Sequence, residues 1–163
     1  MEIALISDTH IPSREQRIPD PFCERIQQAD HVIHAGDFDS KGALADVRDL
    51  APELTAVAGN MDPRVGLPTV ATVAFEGVEF VLTHGTGSKH GYEQRVANTV
   101  REHADTDDAV GVAGHTHEVL DTVHDGVRLL NPGSATGASP ATRTTMVTLS
   151  VEDGTLAVEL HER

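Results

Sequence analysis

Residues 3–10 read IALISDTH, a short apolar run that stops abruptly at Asp8 and His10. Four more runs share that construction. HVIHAGD (31–37) ends in Asp37, LTAVAGN (54–60) in Asn60, EFVLTH (79–84) in His84, and AVGVAGHTH (109–117) in His115 and His117. Each reads as a buried strand with a polar group immediately past its C-terminal tip. Ligand sites in α/β sheets form at the carboxyl ends of strands, so these five tips can converge.

The segments between the runs support that reading. Helices are expected near 20–29 and 40–50, alternating with strands near 2–7, 31–35 and 54–58, the pattern of parallel βαβ units. Ser40 is a natural N-cap for the second helix, in which Leu44, Val47 and Leu50 recur at helical spacing. The later part carries more strands. Runs at 69–75 and 78–83 flank Glu76-Gly77, and a helix near 91–103 precedes a strand near 109–113. Asp125-Gly126 and Asp153-Gly154 then mark two further hairpins, 119–124 with 127–131 and 143–151 with 155–161. The expected fold is α/β, two mixed sheets packed together with helices outside.

Composition narrows the class. The 163 residues suffice for one well-buried domain, expected over 1–163. With no Trp, one Tyr and four Phe, the core must be built from Val, Ala, Leu and Ile. The lone Cys23 excludes an internal disulfide and fits a reducing compartment. No apolar stretch approaches the ~20 residues of a membrane span, and MEIALISD lacks the basic start of a signal peptide. The expectation is a cytoplasmic protein without membrane association. Twenty-six acids stand against 12 bases, a net charge of −14. Such a surface repels nucleic-acid polymers, and it resembles the acid-rich, Lys-poor surfaces of proteins from salt-loving archaea.

Taken singly, each strand-tip residue has an ordinary explanation. Asp8 and Asp37 can cap turns, Asn60 suits a left-handed position, and histidines are common on surfaces. Taken together, two carboxylates, one amide and four imidazoles form a mixed hard and borderline set of metal ligands. Seven groups exceed what one tetrahedral ion needs and suit two metals sharing a carboxylate.

Asp8-Thr9-His10, Gly36-Asp37, Gly59-Asn60, His84-Gly85 and Gly114-His115-Thr116-His117 stand in the order and rough spacing of the calcineurin-like metallophosphoesterases. The chain resembles in particular the small prokaryotic phosphodiesterases of that superfamily, and the match runs to at least Asn131-Pro132-Gly133-Ser134. The resemblance implies a four-layer αββα sandwich. It implies one metal held by Asp8, His10, Asp37 and His117, and a second held by Asp37, Asn60, His84 and His115, with Asp37 bridging. Asp37, Asn60, His84 and His115 are the expected catalytic set, acting on a small phosphodiester by attack of a bridging hydroxide. Mn²⁺ is the expected ion, with Ni²⁺, Fe²⁺, Zn²⁺ or Mg²⁺ as alternatives.

Lesser expectations attach to other residues. Asn60 and Arg64 are candidate phosphate contacts, and Asp62 either orients a ligand or turns the chain before Pro63. His34 packs beside its strand, with a supporting role behind the ligands as the alternative. His31, His90, His103, His124 and His161 match no motif and are read as surface residues. Two positions depart from the broader family. Met61 replaces a histidine that in many members assists leaving-group protonation, and a thioether cannot donate a proton. Thr86 stands where related sequences often carry a second histidine. The small phosphodiesterases commonly lack the histidine at the Met61 position, so Met61 favours a diesterase. A phosphomonoesterase or nucleotide phosphatase of the same superfamily is one alternative. A protein-binding scaffold like the vacuolar sorting subunit of retromer, which has this fold with a degraded site, is the other. A homo-oligomer is left open.

Overall fold

Apolar runs without polar alternation need cover on both faces, and the architecture supplies it. A computed structural model of the chain describes residues 1–62 and 65–163. Its strands are β1 (Glu2–Ile6), β2 (His31–His34), β3 (Leu54–Ala56), β4 (Val70–Phe75), β5 (Val78–Thr83), β6 (Val110–Val112), β7 (Val119–His124), β8 (Val127–Pro132), β9 (Thr145–Glu152) and β10 (Thr155–Glu162). The helices are α1 (Asp20–Gln28), α2 (Lys41–Leu50) and α3 (Tyr92–His103).

Two five-stranded sheets form, in the orders β10-β9-β1-β2-β3 and β4-β5-β6-β8-β7. Both are mixed. In the first, β1, β2 and β3 run parallel, with Ile3 opposite His31 and Ile6 opposite His34, while β9 and β10 run antiparallel to their neighbours. In the second, β5, β6 and β8 are parallel, and β4 and β7 close the edges antiparallel.

The alternation along β1 shows how the layers stack. Ile3 and Leu5 point between the sheets, where they meet Ile33, Val57, Phe80, Leu82, Val112 and Leu149. Ala4 and Ile6 point outward and are covered by Phe22 and Ile26 of α1 and Leu44 and Val47 of α2. On the far side, Val96, Ala97 and Val100 of α3 cover Val81 and Leu129. Two sheets between helices give the expected αββα order, and a fully buried Ile or Leu contributes about 1.5–3 kcal/mol to it. Among the described residues, no helix is long and apolar enough to cross a membrane.

Local signals held where a side chain enforces them. Ser40 caps α2, its hydroxyl accepting from the Ala43 N–H at 3.0 Å. All three X-Gly hairpins turn with both central residues at positive φ, as a two-residue loop between twisted strands requires. The strands near 54–58 and 109–113 are shorter than expected, because their ends leave the ladder to carry ligand loops. The surface reading of five histidines needs correction. His161 is buried, bonded to Thr148 Oγ1 at 2.8 Å, and His31 and His124 are half-buried. His161 lies on the helix-side face of β10, opposite Met146 of the core beneath α1 and α2, and a cross-strand hydroxyl satisfies the ring.

Candidate metal centre

The parallel strands put their carboxyl ends on one edge, and the loops leaving them bring the seven predicted residues together. Asp8 and His10 follow β1, Asp37 follows β2, Asn60 follows β3, His84 follows β5, and His115 and His117 follow β6. Ligand atoms of Asp8, His10 and His117 all lie within 4.8 Å of one another, as do those of Asp37, His84 and His115. The two groups touch. His10 Nε2 is 3.5 Å from Asp37 Oδ2, and His84 Nε2 is 3.7 Å from Asp8 Oδ1. Asn60 Oδ1 sits 3.1 Å from His115 Nδ1. Arg64 lies outside the described residues.

The backbone is bent to achieve this. Asp8, His10, Asp37, His115 and His117 all have positive φ, between 47° and 74°. Such conformations cost about 1–3 kcal/mol each and persist only where the surroundings impose them. Asp and His tolerate them better than most residues. The glycines of the motifs make room. A Cβ on Gly36, itself at φ 103°, would lie 2.8 Å from His84 Nδ1, and one on Gly59 would overlap the Asp37 carboxylate.

The hydrogen bonds on the outer side of each ring fix which nitrogen faces inward. His84 Nδ1 is 2.7 Å from the Ala35 carbonyl and His117 Nδ1 is 2.7 Å from the Ala138 carbonyl. His115 Nε2 is 2.8 Å from the Gly87 carbonyl. A carbonyl only accepts, so these nitrogens carry the protons and the opposite ones present lone pairs. His10 Nδ1 meets the Asp39 carboxylate at 2.8 Å, which orients it the same way, and Ser13 Oγ donates to the other Asp39 oxygen.

The result is acceptor facing acceptor. His10 Nε2 and His117 Nε2 are 3.2 Å apart, His117 Nε2 is 3.3 Å from Asp8 Oδ1, and His84 Nε2 is 3.0 Å from Asp37 Oδ2. Asp8 Oδ1 and His84 Nε2 are buried without a hydrogen-bond partner among the described residues. Lone pairs crowded in this way are stable only around positive charge, and the donor set of imidazoles, carboxylates and an amide fits divalent metal ions.

Protonation behaviour agrees. Burial pushes Asp8 and Asp37 up, yet bonds from His10 and His117 and the charge of His84 hold Asp8 well below the usual carboxylate range. His84 lowers Asp37 in the same way. Burial pushes His84 and His117 down, but Asp37 and Asp8 raise both above the ordinary imidazole value. The carboxylates draw a positive charge into the site, as a proton when no metal competes for the same lone pairs.

Three supports behind the ligands carry weaker sequence signals. Asp62 accepts from four backbone N–H groups, those of Asp37 (3.0 Å), Phe38 (2.7 Å), Asp39 (2.9 Å) and Gly59 (2.7 Å). It therefore staples the Asp37 loop to the Asn60 loop, which makes it a ligand-orienting residue. Sequence reasoning missed Asp39, although its spacing two residues after Asp37 was a visible signal. His34 does pack beside its strand, stacked on Phe38 at 3.6 Å between Thr9 Oγ1 and the Gly36 N–H. Burial pushes its pKa down to about 3. The Met61 side chain is 44 % exposed, while its N–H donates to Asp37 Oδ1 at 2.8 Å. Thr86 is exposed.

Comparison with known proteins points the same way. A family model described as the calcineurin-like phosphoesterase superfamily domain matches residues 1–154. A probable metallophosphoesterase of Methanothermobacter thermautotrophicus is 37% identical over 139 residues, which is 83% of this chain and 78% of that protein. One from Methanocaldococcus jannaschii is 32% identical over 154 residues, 94% of this chain and 77% of that protein. Vps29 of Entamoeba histolytica, solved as a single-site variant, is 27% identical with a TM-score of 0.78 over 100% of this chain and 99% of its own. The wild type of that protein, solved with Zn²⁺, is 26% identical with a TM-score of 0.71 over 99% of each chain. On a match spanning nearly its whole length, with the ligand-bearing strand tips in family order, this chain belongs to the calcineurin-like phosphoesterase superfamily.

Proposed function

We propose that the protein is a metal-dependent phosphodiesterase with a two-metal centre, formed by a single metallophosphoesterase domain over residues 1–163. The observation that carries this reading is the set of inward lone pairs. Four imidazoles, each held by its outer nitrogen, converge on two buried carboxylates, and among the described residues Asp8 Oδ1 and His84 Nε2 find no hydrogen-bond partner. The relatives named probable metallophosphoesterases and the Vps29 structure with Zn²⁺ support it.

Asp8, His10, Asp37 and His117 would hold one ion, and Asp37, Asn60, His84 and His115 the other. Divalent cations held there would supply Lewis acidity, lowering the pKa of a bound water and neutralising charge that grows on the phosphoryl oxygens. The chain's own part is to position and to limit charge. Asp37 touches both groups of ligands, which is why a carboxylate is needed there. Asn60 adds an oxygen without adding negative charge, so the seven ligands carry two carboxylates and leave room for an anionic substrate. Met61 brings no proton to the leaving group, which favours diesters whose alkoxide leaves unassisted over monoesters. Mn²⁺ remains the expected ion, and the lone Cys23 supports a reducing, cytoplasmic setting.

The test is turnover of bis(p-nitrophenyl) phosphate and p-nitrophenyl phosphate with Mn²⁺, Ni²⁺, Zn²⁺ or Mg²⁺, with chelator, and with Asp37→Ala. Metal-dependent turnover favouring the diester, abolished by chelator and by Asp37→Ala, is expected. A preference for the monoester would make the protein a phosphatase. No turnover with any ion would favour the scaffold.

A further inference from the structure

A cleft of about 370 Å³ opens beside Asn60 and His84, lined also by Val70, Thr86, Arg95 and Thr99. No carboxylate lines it among the described residues. In a chain with 26 acids this absence is selective, because each of four other surface clefts contains at least one. Arg95 is the cation among its described lining residues.

Arg95 is held in place without being neutralised. One guanidinium nitrogen, Nη2, donates to the carbonyls of Gly85 (3.0 Å) and Ser88 (2.8 Å). Its Nε is buried with no partner among the described residues, and no carboxylate pairs with the group there. The Tyr92 ring lies 5.8 Å from Cζ, a contact that partly offsets the buried charge but fills no hydrogen bond. Nε is closed to solvent, so the guanidinium meets the cleft through its charge and through Nη1, which makes no hydrogen bond among the described residues. Among the described residues the cleft lining is otherwise small, aliphatic or threonine, and His84, a candidate metal ligand, is its one aromatic ring, so it offers little face on which a base could stack.

We infer that this cleft receives one ester substituent of the substrate, and that Arg95 selects a substituent bearing a second anionic group, a carboxylate or a phosphate. The inference rests on the phosphodiesterase reading above. Arg95 is then a specificity-determining residue, reading a group remote from the scissile bond.

The experiment compares three diesters with a common p-nitrophenolate leaving group, whose other substituent is propyl, carboxyethyl or phosphonoethyl. With the Mn²⁺-loaded protein, kcat/KM should be higher for one or both anionic esters than for the propyl ester by roughly tenfold to a hundredfold, the range of a charge-assisted hydrogen bond. Which anionic ester leads tells carboxylate from phosphate. Arg95→Gln should bring the ratio to about one, and Arg95→Lys should retain part of it. A ratio near one in the wild type overturns the inference while leaving the diesterase standing. So does an Arg95→Gln variant that slows all three esters equally, since that is the signature of a loop clamp alone. If no ester is hydrolysed, the diesterase reading fails, and calorimetry decides the inference separately. Phosphonopropionate should then still bind more tightly than propylphosphonate in an Arg95-dependent way. Equal binding overturns it.

Discussion

Replacing Asp62 by Asn changes few atoms and should be costly. The Asp62 carboxylate accepts two N–H groups on Oδ1, from Phe38 and Asp39, and two on Oδ2, from Asp37 and Gly59. An amide keeps one acceptor and turns the other into a donor, so two of the four N–H groups would face an NH₂. Each loses a charge-assisted bond and gains a clash, and a lost partner of this kind costs about 1–3 kcal/mol. Allowing water to reach part of this half-buried loop, the variant should be destabilised by about 2–4 kcal/mol. For a domain of this size that is a fall in melting temperature of roughly 5–15 °C. Because the freed loops carry Asp37 and Asn60, Mn²⁺ affinity measured by calorimetry should fall as well, by about tenfold for each ~1.4 kcal/mol of lost preorganisation. Thermal unfolding of the metal-free protein and Mn²⁺ titration are the two readouts. A variant melting within about 2 °C of wild type and binding Mn²⁺ equally would refute the idea that Asp62 staples the loops.

Two further outcomes are expected. His34 is buried with its pKa pushed down to about 3, so between that value and ~6.5 the unfolded chain binds a proton that the folded one does not. Stability should therefore fall as pH drops below about 6.5. In His34→Gln the loss between pH 6.5 and 5, measured by urea unfolding of the metal-free protein, should be smaller than in wild type by about 2 kcal/mol. Equal losses would show that other groups govern the acid limb. Met61→His should place a proton donor at the exposed mouth of the site and speed hydrolysis of diesters with poor alkyl leaving groups, by ~100-fold if the imidazole acts as a full general acid. It should change p-nitrophenyl substrates little, and an equal change on both would count against leaving-group protonation at this position.

Much of this could be read from the chain because the same residues serve fold and site. IALI announces a strand covered on both faces, and the break to Asp8 announces that the strand has ended at the edge where ligands gather. The order of tips is a property of sequence, and so the seven residues were legible. Their support was less so. Asp39 and Asp62 act through backbone N–H groups and a ring nitrogen on other loops, contacts that depend on positive φ at Asp37 and Asp39 and leave no periodic trace. Arg95 sat inside a helix whose apolar period explains Val96 and Val100 but assigns no role to its polar face. Its partners, the carbonyls of Gly85 and Ser88, belong to every residue type equally and cannot be recognised in a sequence. The burial of His161 is illegible for a related reason, since Thr155, Ala157 and Glu159 on the same face of β10 are exposed and nothing in the alternation marks the last such position as covered.

On the proposed phosphodiesterase reading, the charge of −14 and an anionic substrate are reconciled by how the arginines are held. Away from the site, Arg17, Arg101, Arg128 and Arg143 pair with Asp20, Asp125, Asp121 and Glu162, and each pair cancels. Beside the ligand loops, Arg14 donates to the Ser139 carbonyl at 2.6 Å, next to the Ala138 carbonyl that holds His117, and Arg95 donates to the carbonyls of Gly85 and Ser88. A carbonyl fixes a guanidinium without neutralising it, so positive charge survives where the ligand histidines are anchored. The Debye length at physiological ionic strength is ~8 Å, so acids farther across the surface are screened from the site, whereas Arg14 lies close enough to act on His117 and Arg95 lines the cleft beside His84. On the proposed phosphodiesterase reading, a small diester would meet only the mouth, where the metal ions and these two arginines would offset the carboxylates of the site. A nucleic-acid polymer would also have to lie along the acid-rich surface around it, and a net charge of −14 is expected to oppose that.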